Sequence, residues 1–166
     1  MIVLGVDPGT AATGYGVVER DAAGSLRLLE CGVVRPPAGA ALAVKLQAIF
    51  DEVTGLLARH RPDAVAVENV FVHKNARSAL ILGHARGVVL LAAARAGHAV
   101  AEYPPAEIKK AVTGGGAATK GQVGQMVARI LRLAAPPTPA DAADGVAVAL
   151  THAVRSGRVL RRAVVG

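Results

Sequence analysis

Ile2-Val-Leu-Gly-Val-Asp7, followed at once by Pro8-Gly9-Thr10, is the stretch on which the fold turns. It is apolar at both parities, with Ile2, Leu4 and Val6 on one side and Val3 and Gly5 on the other, as befits a central strand covered on both faces. Yet the strand ends on a carboxylate. Beyond the Pro-Gly turn, Gly14 to Glu19 is a second β-branched run, and Leu26 to Val34 follows the Asp21 to Gly24 turn cluster. The chain therefore opens as a three-stranded meander.

Further along, the period changes. Leu42, Leu46, Ile49, Val53 and Leu57 recur at intervals of three or four, which predicts a helix over Ala41 to His60 that Pro62 stops. A short strand, Ala64 to Glu68, precedes a long apolar helix over Asn75 to Ala96, and Val100 to Tyr103 is a fifth strand before Pro104 and Pro105. Two consecutive crossovers make these strands parallel. The remainder is helical: Ala106 to Val112, a segment near Lys120 to Leu131, and a last helix from Ala140 to about Arg155. Gly121 and Gly124 each weaken the Lys120 helix by about 1 kcal/mol relative to Ala, which blurs its expected start. The pattern predicts an α/β domain with a mixed five-stranded sheet, spanning residues 1–166, with a flexible basic tail from about 156.

Composition narrows the functional classes. Nineteen Lys and Arg against twelve Asp and Glu give +7, which points to an anionic partner. The excess is not evenly spread, since residues 69–140 carry nine bases and two acids. Lys74, Arg77, Lys109, Lys110 and Lys120 lie there, in loops or near helix starts, as candidate phosphate contacts. Only Tyr15, Phe50, Phe71 and Tyr103 carry rings, so binding through many stacking platforms is excluded. A single cysteine, Cys31, forbids an internal disulfide and every zinc pattern that needs two thiolates. That composition suits a cytoplasmic protein. The longest apolar run, Gly87 to Ala94, is far shorter than the ~18 residues of a membrane span and reads as buried helix.

Four carboxylates stand out by position. Asp7 and Glu68 end two strands that, if parallel neighbours, deliver both acids to the carboxyl edge where open α/β sheets place their sites. Asp141 and Asp144, three residues apart, share one face of the last helix. Each acid also has an ordinary explanation. Asp7 starts a turn with Pro8 and Gly9, and Asp141 completes a capping box with Thr138 and Pro139. Capping does not explain Asp144, one turn further in beside Val146 and Val148. Two carboxylates about 4 Å apart repel by roughly 4 kcal/mol at an effective dielectric of 20, so four converging acids call for cations or raised pKa values. Oxygen-only donors suit Mg²⁺ or Mn²⁺, and a pair of such ions cleaves phosphodiesters.

Three phrases bring a family into view. Gly5-Val-Asp-Pro-Gly-Thr10 with Gly14-Tyr-Gly-Val17 is the first. The second is Glu68-Asn-Val-Phe71 followed by Lys74-Asn-Ala-Arg-Ser-Ala79 and Gly83-His-Ala-Arg-Gly87, and the third is Ala140-Asp-Ala-Ala-Asp-Gly-Val-Ala-Val-Ala-Leu-Thr-His152. Together they resemble the bacterial RuvC family of Holliday junction resolvases over nearly the whole chain. The resemblance implies a ribonuclease H-like fold, with Asp7, Glu68, Asp141 and Asp144 holding two Mg²⁺ ions that Mn²⁺ can replace. It implies a homodimer, joined through the Asn75 to Ala96 helix, that nicks two opposed strands of a four-way junction in recombination and DNA repair. Each cut leaves a 5′ phosphate and a 3′ hydroxyl that a ligase seals. Phe71 matches the family's base-stacking aromatic, Lys109 and Lys120 match its bases near the scissile phosphates, and RuvA and RuvB are the implied branch-migration partners. His152 ends a matching motif but lies eleven residues, about 16 Å of helix, beyond Asp141, and is structural.

Rival readings remain. Asp7-Pro-Gly-Thr10 with Thr13-Gly14 also resembles the first phosphate loop of actin and sugar-kinase ATPases, which need two such domains around a nucleotide. A non-catalytic junction-binding module has no need of the acids. Another nuclease on the same fold shares the metal site without sharing the substrate.

Overall fold

The computed structural model describes residues 1–69 and 76–164, with side chains described up to residue 156. Among the described residues the strands are β1 (Ile2–Asp7), β2 (Thr13–Arg20), β3 (Leu26–Val34), β4 (Ala64–Glu68) and β5 (Val100–Tyr103). They form one sheet of order β3-β2-β1-β4-β5. β1 pairs antiparallel with β2 and β2 with β3, while β1–β4 and β4–β5 are parallel, so the expected mixed sheet is present.

Strand alternation sorts the side chains onto two faces. Leu4, Val6, Val17, Val65 and Val67 pack on one side beneath α1 (Leu42–His60) and α2 (Ala76–Arg95). Val3, Val18 and Ala66 face the other, beneath α3 (Pro105–Thr113), α4 (Lys120–Leu131) and α5 (Ala140–Val164). Asp7 shares the parity of Val3, and Glu68 that of Ala66. Both acids therefore belong to the α5 face.

α5 crosses that face at unusually close range because glycines line its path. A Cβ on Gly14 of β2 would lie 1.8 Å from the carbonyl oxygen of Asp141, and one on Gly5 of β1 would lie 2.2 Å from the Ala149 nitrogen. Gly16 and Gly145 meet the opposite backbone in the same way. Farther along, Tyr103 Oη and His152 Nδ1 are 2.8 Å apart, with the two rings edge to face at 6.0 Å. Arg155 sits over the Tyr103 ring and pairs with Glu107 of α3. The first part of the helix is thus fixed at two places, against β1 and β2 at its start and against β5 and α3 at His152 and Arg155.

Three expectations are corrected. α4 starts cleanly at Lys120, because Thr119 Oγ1 accepts from the Gln122 N–H (3.3 Å) while the Thr119 N–H donates to Gln122 Oε1 (2.8 Å). Such a reciprocal cap is worth about 1 kcal/mol, enough to offset one of the two glycines. Gly124 itself is buried with Ala143 of α5 4.0 Å from its would-be Cβ, so its smallness serves packing. α5 continues as helix through Val164, past the end expected near Arg155 and into the segment read as a basic tail.

The third correction concerns α2. Only Ala85, Val89, Ala92 and Ala93 are buried, while Leu80 and Leu91 are 67% and 52% exposed. The apolar run is a half-buried helix rather than a buried one. By length and composition this helix would also suffice to cross a membrane, since the apolar segment is longer than Gly87 to Ala94 alone. Its inner face is nevertheless part of the core of the sheet, and its Arg86 pairs with Glu102 of β5.

Candidate active site

The register of β1 against β4 sets Val6 beside Val67, so Asp7 and Glu68 leave neighbouring strands at the same edge and on the same face. Asp144 comes down on them from the second turn of α5. Asp7, Glu68 and Asp144 line one cavity of about 190 Å³, closed at its back by Ile108, Val123 and Ala147 and edged by Lys109 and Lys120. The four acids are therefore brought to one sheet edge, with three of them in one cavity. Asp141 stands at the rim.

The surroundings make ionisation costly for the strand-borne pair. Burial, then the charge of Asp144, pushes Asp7 up to about 6, although Lys120 works in the opposite direction. Glu68 is pushed up to about 7, first by burial and then by Asp7 and Asp144, with Lys120 and Lys109 opposing. Among the described residues no cation is paired directly with either of these two carboxylates, and Lys109 and Lys120 act on them only from the edge of the cavity. The helix-borne pair is different, because each member touches a cation. Lys120 Nζ lies 2.6 Å from Asp144 Oδ2, and this contact raises the lysine's own pKa. The Arg35 guanidinium is 3.6 Å from Asp141 Oδ2, with both side chains exposed (53% and 37%), a pair worth at most about 1 kcal/mol.

A divalent cation fits this donor set. The ligands are all carboxylate oxygens, the walls are apolar, and two of the acids have pKa values raised first by burial and then by their acidic neighbours, a cost that a cation would relieve. Among the described residues no three ligating side chains surround a single point as they stand, since Asp141 and Asp144 turn toward Arg35 and Lys120. Those two cations stand in for the missing positive charge.

The other expected contacts divide. Lys109 is half-buried at the cavity, whereas Lys110 is exposed on α3 and does not line it. Arg77 is exposed in the first turn of α2. Phe71 and Lys74 lie outside the described residues. Asp141 is in the first turn of α5, whose first helical residue is Ala140, and its carboxylate meets Arg35. His152 belongs to the Tyr103 contact, and burial lowers its pKa. Sequence reasoning missed Arg35, although a base immediately following a strand that ends at the same edge as Asp7 was a usable signal. It also missed why Gly14 and Gly16 recur.

Known proteins match the chain closely. The model of the family described as Crossover junction endodeoxyribonuclease RuvC matches residues 3–152. The Crossover junction endodeoxyribonuclease RuvC of Halorhodospira halophila is 51% identical over 164 residues, 99% of this chain and 96% of that protein. Its counterpart from Pelotomaculum thermopropionicum is 50% identical over 153 residues, 92% of this chain and 93% of its own length. A solved structure of T. thermophilus RuvC in complex with Holliday junction substrate superposes with a TM-score of 0.88 at 40% identity, covering 94% of both chains. The yeast mitochondrial Holliday junction resolvase Ydc2 superposes with a TM-score of 0.63 at 12% identity, covering 95% of this chain and 83% of the yeast one, a likeness of fold alone.

Proposed function

This chain belongs to the RuvC family of crossover junction endodeoxyribonucleases, and on that premise we propose that residues 1–166 act as one nuclease domain resolving four-way DNA junctions at the Asp7, Glu68, Asp141 and Asp144 edge. The observation that carries this is the meeting of Asp7, Glu68 and Asp144 in one cavity edged by lysines, an anionic pocket inside a cationic surround. Two Mg²⁺ ions, replaceable by Mn²⁺, are the cations this oxygen-only set would hold; when bound they supply an activated water and charge stabilisation at the leaving oxygen.

The remaining work falls to the chain's own residues. Asp7 and Glu68 offer carboxylates whose protons leave as positive charge arrives. Lys120 and Lys109 draw the phosphate backbone toward the pocket, and Lys120 releases Asp144 as it does so. Ile108, Val123 and Ala147 restrict water behind the acids, which strengthens every charge interaction in front of them. Lys74, Lys110 and Arg77 extend the basic surface over more of the junction, and Phe71 stacks on a base at the crossover.

A junction is cut on two opposed strands, which calls for two such sites. The exposed apolar face of α2, with Leu80 and Leu91, is the surface we assign to contact between two copies. Covering each leucine is worth about 1.5–3 kcal/mol in full. The family likeness adds RuvA and RuvB as branch-migration partners and the bacterial cytoplasm as location. A labelled four-way junction, a duplex and an RNA–DNA hybrid, each incubated with Mg²⁺ and mapped for nicks, test the reading. Paired symmetric cuts in the junction alone, with ligatable ends, are expected; equal cutting of the duplex or the hybrid would assign another nuclease activity to this edge.

A further inference from the structure

We propose that Arg35 is a phosphate-binding residue of this site, taking a backbone phosphate of the cut strand on the β3 side of the acids, opposite Lys109 and Lys120. The inference deepens the nuclease reading above and rests on it. Its basis is the register. Val34 at the end of β3 lies against Thr13, Gly14 lies against Asp7, and Val6 lies against Val67, so β3, β1 and β4 all end at one edge of the sheet. With strands about 4.8 Å apart, β3 stands roughly 10 Å to one side of Asp7. Val34 packs on the α1–α2 side, so alternation turns the next residue, Arg35, to the α5 face, where its guanidinium reaches Asp141.

The charges around the acids are then arranged in opposition. α3 and α4 bring Lys109 and Lys120 to one side of the cavity, and β3 brings Arg35 to the other, next to the acid that stands at the rim. A nucleic-acid strand laid along this edge sets its own anions against four carboxylates. It needs positive charge on both flanks of the reacting phosphate, and the second flank has Arg35.

The side chain is built for exchange. Pro36 keeps Arg35 in extended backbone and is itself buried, which anchors the base of the side chain. The guanidinium end is 53% exposed and its contact with Asp141 is long, so that pair is weak. A planar guanidinium matches two phosphate oxygens better than one distant carboxylate oxygen. Because its pair with Asp141 is long and exposed, Arg35 can turn outward to the strand without an ion in the pocket.

The test uses the full chain carrying Arg35→Ala or Arg35→Lys, with Asp7→Asn beside them. Affinity for a labelled four-way junction is measured in EDTA across a salt series, with melting temperature as the control for folding. Arg35→Ala is expected to melt like wild type, to bind about 5- to 10-fold more weakly, and to lower the slope of log K against log salt by about 0.9 for each arginine engaged. Arg35→Lys should recover most of the slope. A wild-type slope and affinity in Arg35→Ala, with only the metal requirement for cleavage altered, would restrict Arg35 to holding Asp141 and overturn the proposal. Cleavage by Asp7→Asn would instead refute the placement of the nuclease centre at this acidic edge, whatever Arg35 does.

Discussion

The two acids on the strands and the two on the last helix carry the same charge in opposite circumstances. Asp7 and Glu68 are sunk against apolar walls and pushed up to about 6 and about 7, chiefly by burial. Asp141 stands nearer solvent, and Asp141 and Asp144 each touch a basic side chain. The contrast separates two tasks. The strand pair creates a demand for positive charge that no described residue in direct contact meets, while the helix pair arrives with cations that can be exchanged. A pocket with only the first kind would be hard to fold metal-free, and one with only the second would have little reason to take up an ion.

Removing a member of the demanding pair should have the largest effect. Asp7→Asn is expected to cut Mg²⁺-dependent junction cleavage on the order of 10³-fold or more, in single-turnover assays, while junction affinity stays within about 3-fold. Asp141→Asn should abolish cleavage comparably while freeing Arg35. Cleavage surviving in Asp7→Asn would erase the distinction between the pairs.

Next comes the contact that holds the pairs together. Gly14→Ala places a methyl where the Asp141 carbonyl now sits, so α5 must move. Overpacking of this kind costs about 1–3 kcal/mol, or roughly 3–10 °C in melting temperature for a chain of this size. Cleavage should fall further than the stability loss explains, because the shift displaces Asp141 and Asp144 from Asp7. An unchanged melting temperature would show the helix to be less tightly seated.

A smaller effect sharpens the comparison through pH. Asp7 and Glu68 have folded-state pKa values above their ordinary ones, so between about pH 4 and 7 the folded chain binds more protons than the unfolded chain. Stability of the metal-free protein should therefore be fullest below pH 4 as far as these two groups act, and fall as pH rises through 6 and 7. Lys120→Met removes a charge that now opposes both shifts, so the drop should deepen and extend to higher pH. Scanning calorimetry of both proteins in EDTA checks this, and parallel curves would mean that Lys120 acts on Asp144 alone.

Much of this was legible in the sequence, for reasons that differ by element. Asp7 and Glu68 could be read because each ends an apolar run, and strand termini at a parallel edge converge by topology alone. The i, i+3 spacing of Asp141 and Asp144 needed only helix geometry. What escaped depended on contacts between distant segments. Gly14 meets the Asp141 backbone across more than a hundred residues of chain, and Arg35 faces Asp141 only once β3 is registered on β2. The exposure of Leu80 and Leu91 escaped for a related reason, since an apolar helix does not reveal by composition how much of its circumference the sheet covers.

The most direct test of the metal-centre account is calorimetric titration of Mg²⁺ into the wild-type chain and Asp7→Asn, in buffers of differing ionisation enthalpy, at about pH 6.5 and about pH 9. With Asp7 near 6 and Glu68 near 7, ion binding at the lower pH should expel roughly one proton, at the higher pH almost none, and Asp7→Asn should bind far more weakly. Binding at pH 6.5 that releases no proton and is equally tight in Asp7→Asn would contradict the claim that these strand-borne acids hold the ion.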